Sequence, residues 1–244
     1  MPYHIYDAAT LKTSAKRAQA IIVSSIFEYK DALEFGIAKE KIYIIPMGVE
    51  VGNVERDGNE SEQLKILFVG RIARVRRLEL LLQAVSQLSL PFHLTIVGGE
   101  EKTSSVTRSG YLGELKQLTK QLQLENKVTY SGKKTPAELK AFYSSADIFV
   151  YPSLYENFGQ PLLEAASHGL PLISTSVGIA REIIIDGETG YQVSGEPEEI
   201  KERIELLNNT NLRLQMGRRI KEEVKKRFDW ENIMDQYINL YRSF

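Results

Sequence analysis

Two glutamates that could do chemistry stand in one short segment, ENFGQPLLE, with seven residues between them. Glu156 comes on the loop after a strand-like run, and Glu164 lies about one turn inside the helix that Pro161 starts. Because helical side chains tilt toward the helix N-terminus, we expect both carboxylates around one cleft rather than on one helical stripe. On spacing alone, two ordinary surface glutamates are an equal alternative.

Four arginines follow a second strand-like run in the segment FVGRIARVRR. They come after Gly70, before or within the first turn of a helix, and are Arg71, Arg74, Arg76 and Arg77. Cations at this end oppose the helix dipole by about 0.3–1 kcal/mol each. An anion bound at the helix start turns that repulsion into attraction, so the pattern predicts an anion site; a solvated basic face is the alternative.

Other motifs point to chemistry more weakly. IVGGE at 96–100 lacks the spacing of a dinucleotide fingerprint, and the sequence has no P-loop, H-E-x-x-H or G-x-S-x-G motif. Of the three histidines, His4 is close to the terminus, His93 lies in a strand-like run, and His168 precedes Gly169 at a helix end. A cation is favoured at a helix C-terminus, so His168 is interpreted as structural.

Composition sets wide limits on the class of protein. The 244 residues have a net charge of -1, which gives no general argument for a nucleic-acid partner. Cysteine is absent, which excludes disulfides and thiolate chemistry and fits a cytoplasmic location. No apolar run approaches the roughly 20 residues that span a bilayer, so the chain is interpreted as soluble.

The elements that must position these residues alternate along the chain. Seven short apolar runs are predicted as strands: 20–25, 41–46, 64–70, 92–99, 127–132, 147–153 and 170–176. Helical spacing lies between them, and Thr135, Pro136 and Glu138 form the start signal of one helix. The alternation predicts a doubly wound α/β domain with ligands at the carboxyl ends of its strands.

The chain divides into four parts by its patterns. Residues 1–50 hold two helices and two short strands, too few for a domain, and 51–63 is a polar loop or linker. The regular alternation fills 64–207, and 208–244 holds C-terminal helices near 209–227 and 229–243. The first part is therefore interpreted as the end of something larger.

Four of these segments together resemble a known family. FVGRIARVRR, VTYSGKKTPAEL, ADIFVYPSLYENFGQPLLEAASHGLPLIST and DGETGYQV are similar to the C-terminal, donor-binding domain of retaining GT-B glycosyltransferases of family four. The similarity runs from about residue 20 to the end of the chain. It implies a Rossmann-like sheet that forms one half of a GT-B fold and binds a nucleoside-diphosphate sugar, usually without a metal or other cofactor.

The resemblance also implies roles for single residues. Arg71 and Arg76 would meet the donor diphosphate, and Glu164 would bind the ribose hydroxyls, whereas Glu156, as the catalytic residue, would lie at the transferred sugar. The backbone of the helix start would cap the diphosphate, and the SGKK loop would hold the nucleobase. These two backbone segments are Asn157, Phe158 and Gly159, and Gly132 with Lys133.

The sequence departs from the family pattern at several positions. Arg76 stands where a lysine is usual, Arg77 where a glycine is frequent, and Ile179 and Arg181 replace a second glycine and a proline. Arginine binds phosphate as a planar fork rather than a point charge, so a shift in donor geometry is expected. The N-terminal acceptor domain of such enzymes is almost wholly outside this sequence, so 1–50 corresponds to the end of that domain and the linker.

The resemblance implies hexosyl transfer from a UDP- or GDP-sugar to a saccharide or lipid-linked acceptor, in polysaccharide or glycoconjugate synthesis. We expect little activity from this chain alone, since the acceptor domain or a partner subunit would be needed. Peripheral membrane association through that absent part is a further expectation. The alternatives are a non-catalytic nucleotide-sugar-binding module or subunit of a split enzyme, and an epimerase or phosphorylase on the same fold. The apolar residues of the last helix predict self-association or packing against 1–45.

Overall fold

The computed structural model describes residues 11–52, 62–100 and 110–244. The described residues form two compact units, one within the limits Met1–Gly48 with Arg227–Phe244 and the other within Val49–Lys226. Most of the predicted loop 51–63 and all of His4 lie outside the described residues. The second unit carries the candidate site.

The larger unit is built on a parallel sheet of six strands in the order β5-β4-β3-β6-β7-β8. The strands are β3 (Leu64–Val69), β4 (Phe92–Val97), β5 (Val128–Gly132), β6 (Ile148–Tyr151), β7 (Leu172–Thr175) and β8 (Gly190–Val193). Every residue of β6 and β7 is buried, as continuous apolar runs covered on both faces require. The predicted doubly wound α/β fold is confirmed.

The helices of this unit follow the strands in alternation. They are α3 (Leu78–Ser86), α4 (Tyr111–Gln121), α5 (Pro136–Ser145), α6 (Gln160–Ser167), α7 (Ala180–Ile183), α8 (Pro197–Leu206) and α9 (Thr210–Phe228). The predicted start of α5 is confirmed as a capping box, in which the amide of Thr135 donates to Glu138 Oε2 at 2.8 Å.

The smaller unit has its own core. It contains α1 (Lys12–Arg17), α2 (Ile26–Glu34), α10 (Trp230–Arg242) and a parallel pair, β1 (Ile21–Val23) and β2 (Ile42–Ile44). Ile45, Ile233 and Leu240 form one buried cluster, so α10 packs against the segment that ends in β2. The predicted packing of the last helix against 1–45 is therefore present.

Two features of the fold differ in detail from the sequence patterns. Strand β8 has no counterpart among the predicted strands, because its four residues GYQV include a glycine and a glutamine and are too short to show a period. The predicted helix break near RFDW is the cap of α10, where Asp229 accepts from the amide of Glu231 at 3.3 Å.

Candidate active site

The sheet order reverses between β3 and β6. From β3 the chain moves outward to β4 and β5, and from β6 it moves the other way to β7 and β8. The loops that follow Val69 and Tyr151 therefore diverge and leave a crevice at the carboxyl ends of two central strands. The arginine segment follows β3, and Glu156 follows β6, so the two sequence candidates meet at this crevice.

Backbone forms the floor of the crevice on the β3–β4–β5 side. Gly98 has φ 147°, and a Cβ there would overlap the carbonyl oxygen of Gly70. The amide of Gly98 donates to the Gly132 carbonyl at 2.9 Å, and a Cβ on Gly99 would lie 2.7 Å from Cγ of Lys133. Glycines thus let three strand ends approach closely, with Gly98 against Gly70 on one side and Gly132 and Lys133 beside Gly98 and Gly99 on the other.

A buried ion pair joins the two sides of the crevice. Nη2 of Arg76 lies 2.7 Å from Oε2 of Glu156, and the two side chains are only 8% and 18% exposed. Nη1 of Arg76 donates to Ser153 Oγ at 2.9 Å and to the Tyr155 carbonyl at 2.8 Å. The guanidinium therefore fastens the loop after β6 to the turn after β3.

Each of the two glutamates accepts a hydrogen bond from a buried tyrosine. The hydroxyl of Tyr151 donates to Oε2 of Glu156 at 2.8 Å, and that of Tyr143 donates to Oε2 of Glu164 at 2.8 Å. Burial raises the pKa of both tyrosines, and the charge of Arg76 acts against that rise at Tyr151. Both phenols therefore stay protonated and act as donors at neutral pH.

These two tyrosines belong to one row of packed rings beneath the glutamates. Tyr151 stacks between Phe68 and Phe149 with centroid distances of 5.4 and 5.9 Å, and Tyr143 lies 6.0 Å from Phe149. His168 stacks on Tyr143 at 5.3 Å, and its Nδ1 lies 2.9 Å from the Glu164 carbonyl oxygen. The spacing of the two carboxylates is thus set by the packing of the core, and His168 has a structural place at the end of α6.

The N-terminus of α6 is shaped by a second close backbone approach. Gly159 precedes the helix with φ 91°, and Gly178 comes so near that a Cβ would overlap the Phe158 carbonyl oxygen. That oxygen also accepts from the amide of Ile179 at 2.6 Å. Phe158 is buried, whereas Asn157 is exposed and accepts from the hydroxyl of Tyr155. The helix start is therefore a rigid edge of the crevice.

The four arginines have different surroundings. Arg71 is exposed, and its charge acts to lower the pKa of Tyr151, so it lies near the crevice. Arg74 is paired with Glu114 at 2.5 Å, and Nε of Arg77 donates to the Pro152 carbonyl at 2.9 Å. Of the four, Arg71 and Arg76 are thus the arginines that lie near Tyr151 and Glu156 at the crevice.

The two glutamates also differ electrostatically. Burial raises the pKa of Glu164, and the hydrogen bond from Tyr143 opposes this rise. Glu156 has the guanidinium of Arg76 as a partner instead. Glu164 is therefore a carboxylate held by a neutral donor, whereas Glu156 is one member of an ion pair.

The structure brings most of the predicted site residues together, and it adds others. The residues that sequence reasoning missed are Tyr143, Tyr151, Ser153 and Gly178. The two tyrosines gave no signal, because each looks like an ordinary core residue of its strand or helix. For Ser153 the only signal was its place in YPS directly after a strand.

Among residues 11–52, 62–100 and 110–244, no three histidine, aspartate or glutamate side chains are grouped so that they could hold a metal ion. In the same part of the chain, no helix combines the length and the apolar character that crossing a membrane requires.

Comparison with protein families gives one match that covers most of the chain. The family described as "Glycosyl transferases group 1" matches residues 53–226. Among curated relatives, a D-inositol 3-phosphate glycosyltransferase of Corynebacterium urealyticum is 28% identical over 93% of this chain and 57% of its own length. The capsular polysaccharide biosynthesis glycosyltransferase CapM of Staphylococcus aureus is 28% identical over 92% of this chain and 61% of its own. The chain thus spans less than two thirds of these relatives.

Solved structures resemble the whole described fold. Sucrose-phosphate synthase from Thermosynechococcus elongatus has a TM-score of 0.83 at 26% identity and covers 98% of this chain, which spans 61% of it. HepE of Anabaena, solved in complex with UDP and glucose, has a TM-score of 0.86 at 20% identity and covers 100% of this chain, which spans 69% of it. The second likeness concerns the fold alone.

Proposed function

Because the chain belongs to the group 1 glycosyl transferases, we propose that it is the donor-binding part of a retaining glycosyltransferase. Its Val49–Lys226 unit binds a nucleoside-diphosphate sugar, with UDP or GDP as the nucleotide. The whole enzyme passes a hexosyl group to a saccharide or lipid-linked acceptor, in the synthesis of a polysaccharide or glycoconjugate.

One observation carries this proposal. At the crevice where the sheet order reverses, Arg71 and Glu156 lie near the side chain of Tyr151, and Gly159 at the start of α6 lies against the side chain of Glu156. Glu164 follows further along α6 and is held by Tyr143. An anion is attracted by Arg71 and by the amide groups at the start of α6. Carboxylates bind hydroxyl groups, so Glu164 and Glu156 are suited to the ribose and the sugar.

The roles of the residues follow from these positions. Arg71 binds the diphosphate, and the backbone of Asn157, Phe158 and Gly159 caps it. The loop of Gly132 and Lys133 holds the nucleobase, since it lies beside Gly98 and Gly99 at the far side of the floor. Glu156 lies at the transferred sugar, with Arg76 at its side.

The chemistry proposed for the site is charge stabilisation on the leaving group. When the bond from the anomeric carbon to the diphosphate breaks, negative charge grows on the phosphate oxygens. We propose that Arg71 and the α6 amides stabilise that charge, because preorganised donors are a large source of rate enhancement. We propose that these groups do so without a metal ion.

Known relatives support the choice of donor. HepE of Anabaena was solved in complex with UDP-glucose, and TarM of Staphylococcus aureus was solved with UDP. Two curated relatives are glycosyltransferases whose names differ, since one gives D-inositol 3-phosphate and the other capsular polysaccharide biosynthesis. The comparison therefore supports a nucleotide-sugar donor for this chain, and it supports no particular acceptor.

The acceptor site is proposed to lie outside the Val49–Lys226 unit, on an N-terminal domain or a partner subunit that also mediates any contact with a membrane. The enzyme is proposed to work in the cytoplasm, where nucleotide sugars are made. On its own this chain then binds the donor but transfers sugar slowly, because nothing orients the acceptor. A non-catalytic nucleotide-sugar-binding subunit of a split enzyme is the second candidate, and it shares the same donor site.

Calorimetric titration of the chain with UDP, GDP and ADP tests the donor site. We expect one of UDP and GDP to bind, and Arg71→Ala and Glu164→Ala each to weaken its binding by about tenfold, since each removes a hydrogen bond to or from a charged group. Arg74→Ala and Glu188→Ala are matched controls, because these exposed side chains pair with Glu114 and Arg219.

The outcomes separate the candidates. Failure of all three nucleotides to bind, or equal affinity in the control and site variants, contradicts the donor site. A chain that binds the nucleotide sugar is then supplied with the acceptor domain of a relative. Transfer by that complex favours the glycosyltransferase, and binding without transfer favours the non-catalytic subunit.

A further inference from the structure

We infer that Arg76 is a positioning residue that acts on the donor sugar through Glu156, rather than a second ligand of the diphosphate. It fixes one oxygen of the Glu156 carboxylate, together with Tyr151, and leaves the other oxygen for a hydroxyl of the transferred sugar. This inference rests on the proposed function and assigns the division of work within its site.

The guanidinium of Arg76 already contacts three groups of the protein. Nη1 donates to Ser153 Oγ and to the Tyr155 carbonyl, and Nη2 lies 2.7 Å from Glu156 Oε2. Nε is buried, and among the described residues no acceptor reaches it. A phosphate that binds arginine as a fork needs two free neighbouring N–H groups on an accessible edge, and this side chain is only 8% exposed.

Tyr151 and Arg76 both contact the same oxygen of the Glu156 carboxylate. Oε2 of Glu156 accepts from the hydroxyl of Tyr151 at 2.8 Å and faces Nη2 of Arg76 at 2.7 Å. Tyr151 and Arg76 also support each other, because the guanidinium carbon lies 5.5 Å from the centroid of the tyrosine ring. Two fixed donors on Oε2 hold the plane of the carboxylate, so Oε1 is held in a defined place.

Arginine and lysine are not equivalent at position 76. A lysine at position 76 would supply one ammonium group and could not bridge Ser153, Tyr155 and Glu156 in a fixed plane. The arginine instead ties the loop after β6 to the turn after β3. The same two segments are also joined through their backbones, since the amide of Leu154 donates to the Val75 carbonyl at 2.7 Å. The site therefore uses Arg71 for the anion and Arg76 for the geometry of Glu156.

The test compares a free nucleotide with its sugar ester on the same variants. The full chain is titrated with UDP and UDP-glucose, and with GDP and GDP-mannose, and the ratio of the two affinities is the readout. We expect Arg76→Lys and Tyr151→Phe each to lower the affinity for the nucleotide sugar by about tenfold. A loss of this size corresponds to one hydrogen bond to a charged group. Affinity for the free nucleotide should change less than about twofold.

Arg71→Ala and Glu156→Gln complete the design. The first should weaken nucleotide and nucleotide sugar by the same factor, because it acts on the shared diphosphate. In a double variant with Arg76→Lys, Glu156→Gln should lower the affinity for the nucleotide sugar little further, since both changes act on one contact. Melting temperatures of all variants, measured without ligand, show that the comparison is made on folded protein. Tyr151→Phe keeps its stacking between Phe68 and Phe149 and serves if Arg76→Lys fails to fold.

Each outcome decides something. Equal losses for nucleotide and nucleotide sugar in Arg76→Lys mean that Arg76 binds the diphosphate, and they overturn the inference while the proposed function stands. Full affinity for the nucleotide sugar in both Arg76→Lys and Tyr151→Phe overturns it as well. A wild-type chain that binds none of the four compounds contradicts the proposed function and, with it, the inference.

Discussion

Glu156 and Glu164 are alike in the sequence and unlike in the protein. Glu156 is paired with the guanidinium of Arg76. Glu164 is held by the neutral hydroxyl of Tyr143, and burial raises its pKa. Two carboxylates from one nine-residue motif thus meet different electrostatic conditions, which fits two different partners on one ligand.

The raised pKa of Glu164 makes a prediction about stability. A raised pKa means that the folded state holds the proton more tightly than the unfolded state. The stabilising effect is complete below the ordinary value of 4.5 and is lost as pH rises through the folded-state pKa. We expect Glu164→Gln, which keeps an acceptor for Tyr143, to be more stable to urea than wild type near pH 7 and to lose less stability between pH 4 and 7.

Glu188→Gln is the control for this experiment, because Glu188 is exposed and pairs with Arg219 at 3.6 Å. Its urea midpoint should follow wild type at every pH. A Glu164→Gln variant that is less stable than wild type near pH 7 would show that the charge of Glu164 has a stabilising partner in the folded protein.

At the scale of elements, the start of α6 depends on the loop after β7. Gly178 lies against the Phe158 carbonyl with φ 45°, whereas Gly187 has φ 77° and open space around it. We expect Gly178→Ala to lose more stability than Gly187→Ala, since only the first adds a steric overlap to backbone strain of about 1–3 kcal/mol. Gly178→Ala should also weaken nucleotide binding, because the overlap moves the start of α6. Equal losses in thermal unfolding would show that the loop moves away freely.

Helix α9 packs against the rest of its unit through a glycine. Met216, Ile220 and Val224 form its buried stripe, and a Cβ on Gly217 would overlap the Gly169 carbonyl oxygen at the end of α6. Gly→Ala in an exposed helix interior normally gains about 0.5–1 kcal/mol. Gly217→Ala should therefore lose stability, whereas Gly113→Ala in α4, with open space around it, should gain. A gain at both positions in chemical denaturation would contradict the close packing of α9.

On the scale of the whole molecule, α10 leaves part of its apolar surface uncovered. Ile233 and Leu240 are buried, but Trp230, Met234, Ile238 and Tyr241 remain exposed. Exposed apolar stripes favour association. We predict that the chain self-associates with rising concentration in light scattering, and that Met234→Lys with Ile238→Lys lowers the apparent mass to that of a monomer.

The control adds the same charge on the polar side of α10. Gln236→Lys with Asn239→Lys, both at exposed positions, should leave the association unchanged. A wild-type chain that stays monomeric over the whole concentration range would contradict the prediction, and so would equal effects of the two double variants.

The sequence by itself determined the fold class, seven of the eight strands and the helix starts with strong caps. These follow from local rules: continuous apolar runs predict buried parallel strands, and Thr135 with Glu138 predicts a capping box. It also pointed to the crevice, because loops after parallel strands meet at one edge of the sheet. Strand β8 was not predicted, since four residues are too few to show a hydrophobic period.

Only the tertiary structure decided what each side chain of the site contacts. Arg71, Arg74, Arg76 and Arg77 are equivalent in a local pattern, yet the fold gives Arg76 to Glu156, Arg74 to Glu114 and Arg77 to Pro152. Likewise, only packing shows that Tyr143 and Tyr151 hold the two glutamates. The physical reason is that these partners lie 21 to 80 positions apart for every pair but Tyr151 and Glu156, and are joined by strand order rather than by spacing along the chain.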